Sequence, residues 1–276
     1  MARTQHRDFD NQAGSFDRRA GLPQTACNAI ALELLRIASL GPTDVLLEIG
    51  AGTGQIGRAL CAMPVRYLGI DLSRQMLSRF AQRCRRDGRV APIAVADASH
   101  PWPSRDGSAT AIFGSRALHL LPLPHVVEEA IRVTAPARSY VILGWVERDP
   151  NGLRATLRRE MHACLIRRGY APHDALHRGE KMLDAFIGRG ARPIHPQVAA
   201  AWPVRRSARE VIDAWRAKAG LAGIDISPAE KEVLLSELAA WAEEMTGSLD
   251  IVETSEEKYM LAGVQLPVRP LASASP

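Results

Sequence analysis

Val45-Leu-Leu-Glu48-Ile-Gly50-Ala-Gly52-Thr-Gly54-Gln-Ile-Gly57 is the stretch that decides the fold of this chain. A short apolar run ends in an acid, glycines follow at three alternate positions, and a helical pattern begins after them. The run reads as a buried strand. The glycines read as a sharp turn, where positive φ is needed and a ligand must approach the backbone without a Cβ in the way. The next segment then presents a helix N-terminus to an open crevice, a place suited to a cofactor that carries an adenosine.

Two motif readings compete. Gly52-Thr-Gly54-Gln-Ile-Gly57 fits the pattern of dinucleotide folds. Glu48-x-Gly50-x-Gly52-x-Gly54 resembles the first motif of class I S-adenosylmethionine (SAM) methyltransferases. Charge helps to separate them: a carboxylate at position 48 repels a pyrophosphate at the same helix N-terminus and favours the ammonium and sulfonium of SAM. The second strand, 65–70, ends at Asp71, and its distance from the glycine turn suits an acid that accepts both ribose hydroxyls. That ribose is common to SAM and NAD, and Asp71 also reads as a simple helix cap beside Ser73. The third strand, 90–95, leads to Ala96-Asp97-Ala98. The fourth, 109–113, runs into Gly114-Ser115-Arg116-Ala-Leu-His119, and the fifth covers 140–145.

These ordered matches, over roughly residues 40 to 150, are similar to small-molecule SAM methyltransferases of the broad group that includes the ubiquinone/menaquinone-biosynthesis type. The resemblance implies an α/β, Rossmann-like three-layer sandwich, with a seven-stranded, mostly parallel sheet whose last strand is antiparallel. It implies a donor site of Glu48, Gly50, Ala51, Gly52, Gly54, Asp71, Leu72, Met76, Asp97, Ala98 and Ser115, with Asp97 receiving the adenine amino group. Phe16 and Arg19 resemble the family's N-terminal segment, which folds over the donor. The cofactor is SAM, the product S-adenosylhomocysteine, and no metal is implied.

Methyl transfer from a sulfonium is an in-line displacement, in which alignment and exclusion of water are much of what a protein contributes. A base is needed only for an acceptor that must lose a proton. His119, after the fourth strand, is the candidate base or acceptor-orienting group, and reads equally well as a structural histidine. Arg116, Trp145 and Arg148 are candidates for acceptor contacts, Trp145 reading also as core packing. The Asn/Asp-Pro-Pro-Tyr/Phe motif of nucleic-acid amino methylation is absent after the fourth strand, and no cysteine pair for C5 pyrimidine methylation is evident.

Composition narrows the class further. A chain of 276 residues, 46% hydrophobic and 24% charged, is ordinary for a soluble globular protein with one core plus an insertion. No apolar run approaches the about 18 to 20 residues that span a bilayer. With no apolar leader at the N-terminus, a cytoplasmic location and no membrane partner are expected. The net charge of +5 raises the possibility of a nucleic-acid partner. Nearly all of it is arginine, however, and residues 229–257 are acidic, so nucleic acid is the less favoured partner. Arg83, Arg85, Arg86 and Arg89 read as a solvated helix end. The four scattered cysteines read as buried free thiols in helical patterns. His173 and His177, lacking a third ligand, do not make a metal site.

The organisation expected is an N-terminal segment (1–22), a SAM-binding core (23–150), a mainly helical cap over the acceptor site (151–250), a final strand (251–267) and a disordered tail (268–276). Ser207-x-x-Glu210 and Ser227-Pro-x-Glu230 are capping boxes that open two of the cap helices. A cap of this size encloses a small acceptor. The function expected is methyl transfer to oxygen, nitrogen or carbon of a small molecule, by a monomer or homodimer. An RNA methyltransferase, and a SAM-binding protein that does not methylate (a cyclase or a regulator), are the alternatives.

Overall fold

The computed structural model describes residues 21–171, 176–218 and 220–269, with the side chains of 176–178 left aside. Phe16 and Arg19 lie outside the described residues, as does the tail from residue 270. Helix α1 (Gln24–Ile37) precedes strand β1 (Val45–Ile49), α2 (Gly57–Leu60), β2 (Arg66–Asp71), α3 (Arg74–Arg86) and β3 (Ile93–Val95). Then come β4 (Ala111–Ser115), a single 3-10 turn (Leu118–Leu120), α4 (Leu123–Val133), β5 (Tyr140–Arg148), α5 (Leu153–Arg167) and α6 (Leu176–Ile187). The chain continues with β6 (Arg192–Ser207), α7 (Ala208–Arg216), α8 (Pro228–Thr246) and β7 (Val252–Gln265).

The seven strands form one sheet in the order β3-β2-β1-β4-β5-β7-β6. Parallel pairing joins β1 to β2 (Glu48 opposite Gly69), β1 to β4 (Leu47 opposite Ile112), β2 to β3 and β4 to β5. The last strand runs the other way, as expected. Leu266 N–H donates to the Ser139 carbonyl at 2.9 Å, a Cβ on Gly263 would meet the Val141 carbonyl, and Tyr259 lies against Gly144, so positions rise on β7 as they fall on β5. Central strands buried on both faces explain the continuous apolar runs: Leu46, Leu47, Ile49, Ile70, Ile112 and Phe113 are all buried. Strand order reverses at β1, which has β2 on one side and β4 on the other, and a crevice opens at the carboxyl ends of strands beside such a switch point.

The chain divides into two compact units. The first runs through Trp145 and takes in Leu176–Ala200 and the chain from Tyr259; the second is Val146–Ala175 with Ala201–Lys258. This corrects the expected 23–150 and 151–250 division. Residues 176–200, expected in the cap, belong with the sheet because Met182, Phe186 and Ala191 are buried in one cluster with Val141, Leu143 and Val264. Strand β6, within the span expected to be mainly helical, is 16 residues long. Three of the four divisions between units fall inside strands β5, β6 and β7, and the fourth falls at the start of α6.

The second unit has its own core, in which Leu157, Met161 and Leu165 of α5 pack with Ile212 and Trp215 of α7 and Leu234, Leu235 and Leu238 of α8. The expected N-caps are present. Ser207 and Glu210 form a reciprocal capping box, and Ser227 Oγ accepts the Glu230 N–H with Pro228 in the first turn. The buried Lys231 ammonium of α8 donates to the carbonyls of Arg216 and Lys218, satisfying the C-terminal end of α7. Cys27, Cys84 and Cys164 are buried free thiols as foreseen, but Cys61 is half-buried and lies just past α2.

Candidate functional site

The glycine turn is held by the strand beside it. The N–H groups of Gly50 and Ala51 both donate to the Ile70 carbonyl, at 2.9 and 3.0 Å. Gly50, Gly52 and Gly54 have φ of 77°, 55° and 73°, in the left-handed region where a Cβ is costly. Their surroundings differ. A Cβ on Gly50 would lie 2.3 Å from the Ala117 methyl, and one on Gly54 2.1 Å from the Phe80 ring. Those two glycines are required by the fold's own packing. A Cβ on Gly52 would meet nothing nearer than the Gly50 carbonyl at 3.9 Å, so Gly52 turns its bare side to open space. That is the backbone a ligand can approach.

Asp71 closes the loop from the end of β2. Its two carboxylate oxygens accept the Gly52 and Ser73 N–H groups, each at 2.8 Å. Ser73 itself caps α3, accepting the Met76 N–H at 3.1 Å, so Asp71 is not the helix cap. A carboxylate oxygen has two lone pairs and can accept more than one donor. Leu72 is half-buried beside it and Met76 is buried.

Glu48 is enclosed, not open at the mouth of the loop as the sequence suggested. It is buried, and Oε2 accepts the Tyr67 hydroxyl at 2.5 Å. Gly69, opposite Glu48 in the register, makes this pair possible, since a Cβ there would lie 2.4 Å from the Tyr67 oxygen. Burial pushes the Glu48 carboxyl up to about 8; the Tyr67 hydrogen bond works against this and the nearby Asp71 charge adds to it. Tyr67 was missed in the sequence because only the strand register brings it to Glu48.

Asp97 follows β3. One of its oxygens accepts the N–H and hydroxyl of Ser99, at 2.9 and 2.6 Å, and His100 lies 3.3 Å from the other. Burial pulls its pKa upward, but these bonds outweigh it and hold the carboxyl below its usual range. The carbonyl of the neighbouring Ala98 accepts the indole N–H of Trp102 at 2.9 Å, which fixes the turn.

After β4, Ser115 Oγ accepts the hydroxyl of Tyr259 at 2.6 Å. Tyr259 is fully buried, and burial raises its hydroxyl well above the ordinary tyrosine range. It brings β7 to the end of β4, a contact no local pattern announces. Arg116 adopts φ 57°, unusual for a non-glycine residue, while its N–H bonds the Gly144 carbonyl at 3.2 Å. His119 sits half-buried in the 3-10 turn. Trp145 is half-buried on β5. Arg148 belongs to the second unit, where it pairs with Glu257 at 3.1 Å.

The Arg83 expected at a solvated helix end instead reaches back to the loop, donating to the Thr53 carbonyl at 3.3 Å. A cavity of about 330 Å³ lies beside it, lined by Gly54, Gln55, Arg58 and Arg86 among others. Glu48, Asp71 and Asp97 are not among the residues that line it. Among the described residues no group of three or more His, Cys, Asp or Glu is placed to hold a metal ion. No helix of the described residues is long and apolar enough to cross a membrane.

Residues 46–137 match the family model described as a methyltransferase domain. The matched span contains Glu48, the three glycines, Asp71, Asp97, Ser115, Arg116 and His119. A candidate methyltransferase from Bacillus halodurans is similar with a TM-score of 0.54, at 17% identity over 86% of this chain and 98% of that one. The YcgJ protein from Bacillus subtilis is similar with a TM-score of 0.52, at 16% identity over 85% and 97%. The [4+2]-cyclase SpnF gives 0.51, at 17% identity over 88% and 81%. At these identities the likeness concerns the fold alone. A search of curated protein sequences returns no match.

Proposed function

We propose that this protein transfers the methyl group of SAM to a small-molecule acceptor. The observation that carries the reading is the pairing of Gly52, whose bare side faces open space, with Asp71, whose carboxylate anchors the Gly52 amide from the end of β2. Asp71 would take the ribose hydroxyls, and Asp97 with the Ala98 amide the adenine. Glu48 would compensate the cationic end of the ligand. When bound, SAM supplies a methyl group made electrophilic by its sulfonium.

The chain's own contribution is to hold that group in line with the acceptor and to keep water away. His119 takes a proton where the acceptor is an alcohol or phenol. Ser115 and Arg116, at the end of β4, border both partners in this reading. Phe16 and Arg19 would cover the donor, while Trp145 and Arg148 would contact the acceptor.

A thermal-shift titration tests the donor. At 100 times Kd a ligand adds about 2.7 kcal/mol of stability, so SAM and S-adenosylhomocysteine raise the melting temperature and NADH does not. Stabilisation by NADH alone would overturn the reading. A second reading, a SAM-binding protein with non-methylating chemistry, is favoured by the likeness to a [4+2]-cyclase. Binding of S-adenosylhomocysteine without transfer of a labelled methyl to any component of a cell extract would select it.

A further inference from the structure

The second unit contains two half-buried arginines, Arg154 and Arg206, that form no ion pair among the described residues. Arg154 of α5 is half-buried, its guanidinium 5.9 Å from the centre of the Trp215 ring. Burial first, and then the charge of Arg148, push its pKa down to about 10; Glu257 works against this, and Arg206 and Arg158 reinforce it. Arg206 of β6 has a buried Nε with no hydrogen-bond partner. Both residues line one cavity, together with Arg148, Ser255 and three carboxylates.

Those carboxylates compensate the pair only in part, Glu257 acting on Arg154 from a distance. Glu257 is taken by Arg148 at 3.1 Å, Asp149 accepts the Asn151 N–H at 2.9 Å, and Glu253 is exposed. Among the described residues neither Arg154 nor Arg206 forms an ion pair. Unpaired cations and orphaned guanidinium donors in such a place are costly, and the cost is relieved by an anion that accepts from them. A water satisfies donors but leaves the charge.

The cavity is small, with about 20 Å³ open to the centres of water-sized groups. The two oxygens of a carboxylate match the forked geometry of a guanidinium. The Trp215 ring, 5.9 Å away, lies within cation–π range of the Arg154 guanidinium.

We propose that Arg154 and Arg206 form a carboxylate-binding site in the second unit, which takes the acid group of a small organic acid. If that acid is also the methyl acceptor, a step that rests on the methyl-transfer reading, the substrate class is a carboxylic acid.

Isothermal titration of the full chain with acetate and succinate, at constant ionic strength against chloride and inorganic phosphate, tests the site. Succinate or acetate binds, phosphate and chloride do not displace it, and Arg154→Gln and Arg206→Gln each weaken binding at least tenfold. Arg154→Lys, which keeps the charge and loses the fork, recovers only part of that loss. Carboxylate binding that survives in the double glutamine variant, phosphate binding as tight as carboxylate, or full recovery by lysine would each overturn the proposal. Binding of S-adenosylhomocysteine in the same preparations reports separately on the first unit, so failure here is distinguishable from failure of the methyl-transfer reading. With methyl-labelled SAM, label appearing on the bound acid identifies it as the acceptor; an acid that binds and remains unlabelled occupies the same site as an effector.

Discussion

The two units present chemistry by different means. In the first, the groups at the strand ends are backbone amides and short acids, and sheet topology positions them: Gly52 is bonded to Asp71, Asp97 to Ser99, and Glu48 to Tyr67. In the second, the candidate groups are long arginine side chains on α5 and β6, set by how helices pack around Trp215. A backbone amide cannot be changed by substitution, and a strand-end acid is fixed by the register. A guanidinium on a helix can be lost or moved by one codon. The first arrangement suits a group that every member of a fold must bind, and the second a group that differs from one protein to another.

The contrast can be tested from both sides. The largest expected effect is on stability in the second unit. Trp215→Ala empties the centre of that core and costs about 3–5 kcal/mol, read by urea denaturation, while affinity for S-adenosylhomocysteine is unchanged. A parallel loss of that affinity would show that the two regions act as one. Asp71→Ala tests the other side. Each charge-assisted hydrogen bond to a ribose hydroxyl is worth about 1.5–3 kcal/mol, so titration should show binding weakened tenfold or more, and an unchanged Kd would remove Asp71 from the site.

Glu48 gives a subtler, pH-dependent signature. Its carboxyl titrates near 8 in the folded chain against an ordinary value of 4.5, so the folded state holds a proton that the unfolded chain has released. Stability from this group is therefore greatest below pH 4.5 and falls as pH rises toward 8, by up to about 1.4 kcal/mol per pH unit. A cationic ligand that prefers the ionised carboxylate binds more tightly over the same rise. Glu48→Gln should flatten both slopes, measured as melting temperature and SAM affinity from pH 5 to 9; slopes identical to those of the parent would place the titration elsewhere. The smallest effect is Gly52→Ala, which costs about 1–2 kcal/mol from its left-handed φ and, unlike a Cβ at Gly54, meets no packed ring. Its melting temperature should fall far less than that of Gly54→Ala; equal losses would mean that the open side of Gly52 is illusory.

The strand-turn-helix around Gly50 and the acids at 71 and 97 were legible in the sequence because each answers a local demand: a positive φ, a strand end, a helix start. Glu48 was found but misplaced, because its enclosure depends on Tyr67 reaching it past Gly69 on the neighbouring strand. Tyr259 was foreseen as part of a strand and missed as a partner of Ser115, since the bond joins residues 144 positions apart. Residues 176–200 were assigned to the wrong unit for a related reason. An amphipathic helix reads the same whether its apolar face meets a sheet or other helices, and only the burial of Met182 and Phe186 beside Val141 decides between them.

The bond between Tyr259 and Ser115 has a consequence for biosynthesis. Glycine turn, acids and fourth strand all emerge from the ribosome well before β7, since Tyr259 follows Ser115 by 144 residues. During translation the nascent sheet therefore carries an unfinished edge along β5, and the hydroxyl that anchors Ser115 arrives only with β7. Domains form largely in the order they are made, and an unpaired strand edge is open to wrong partners. A chain stopped short of Tyr259 would leave translation with its strand-end acids in place and Ser115 still waiting for its partner.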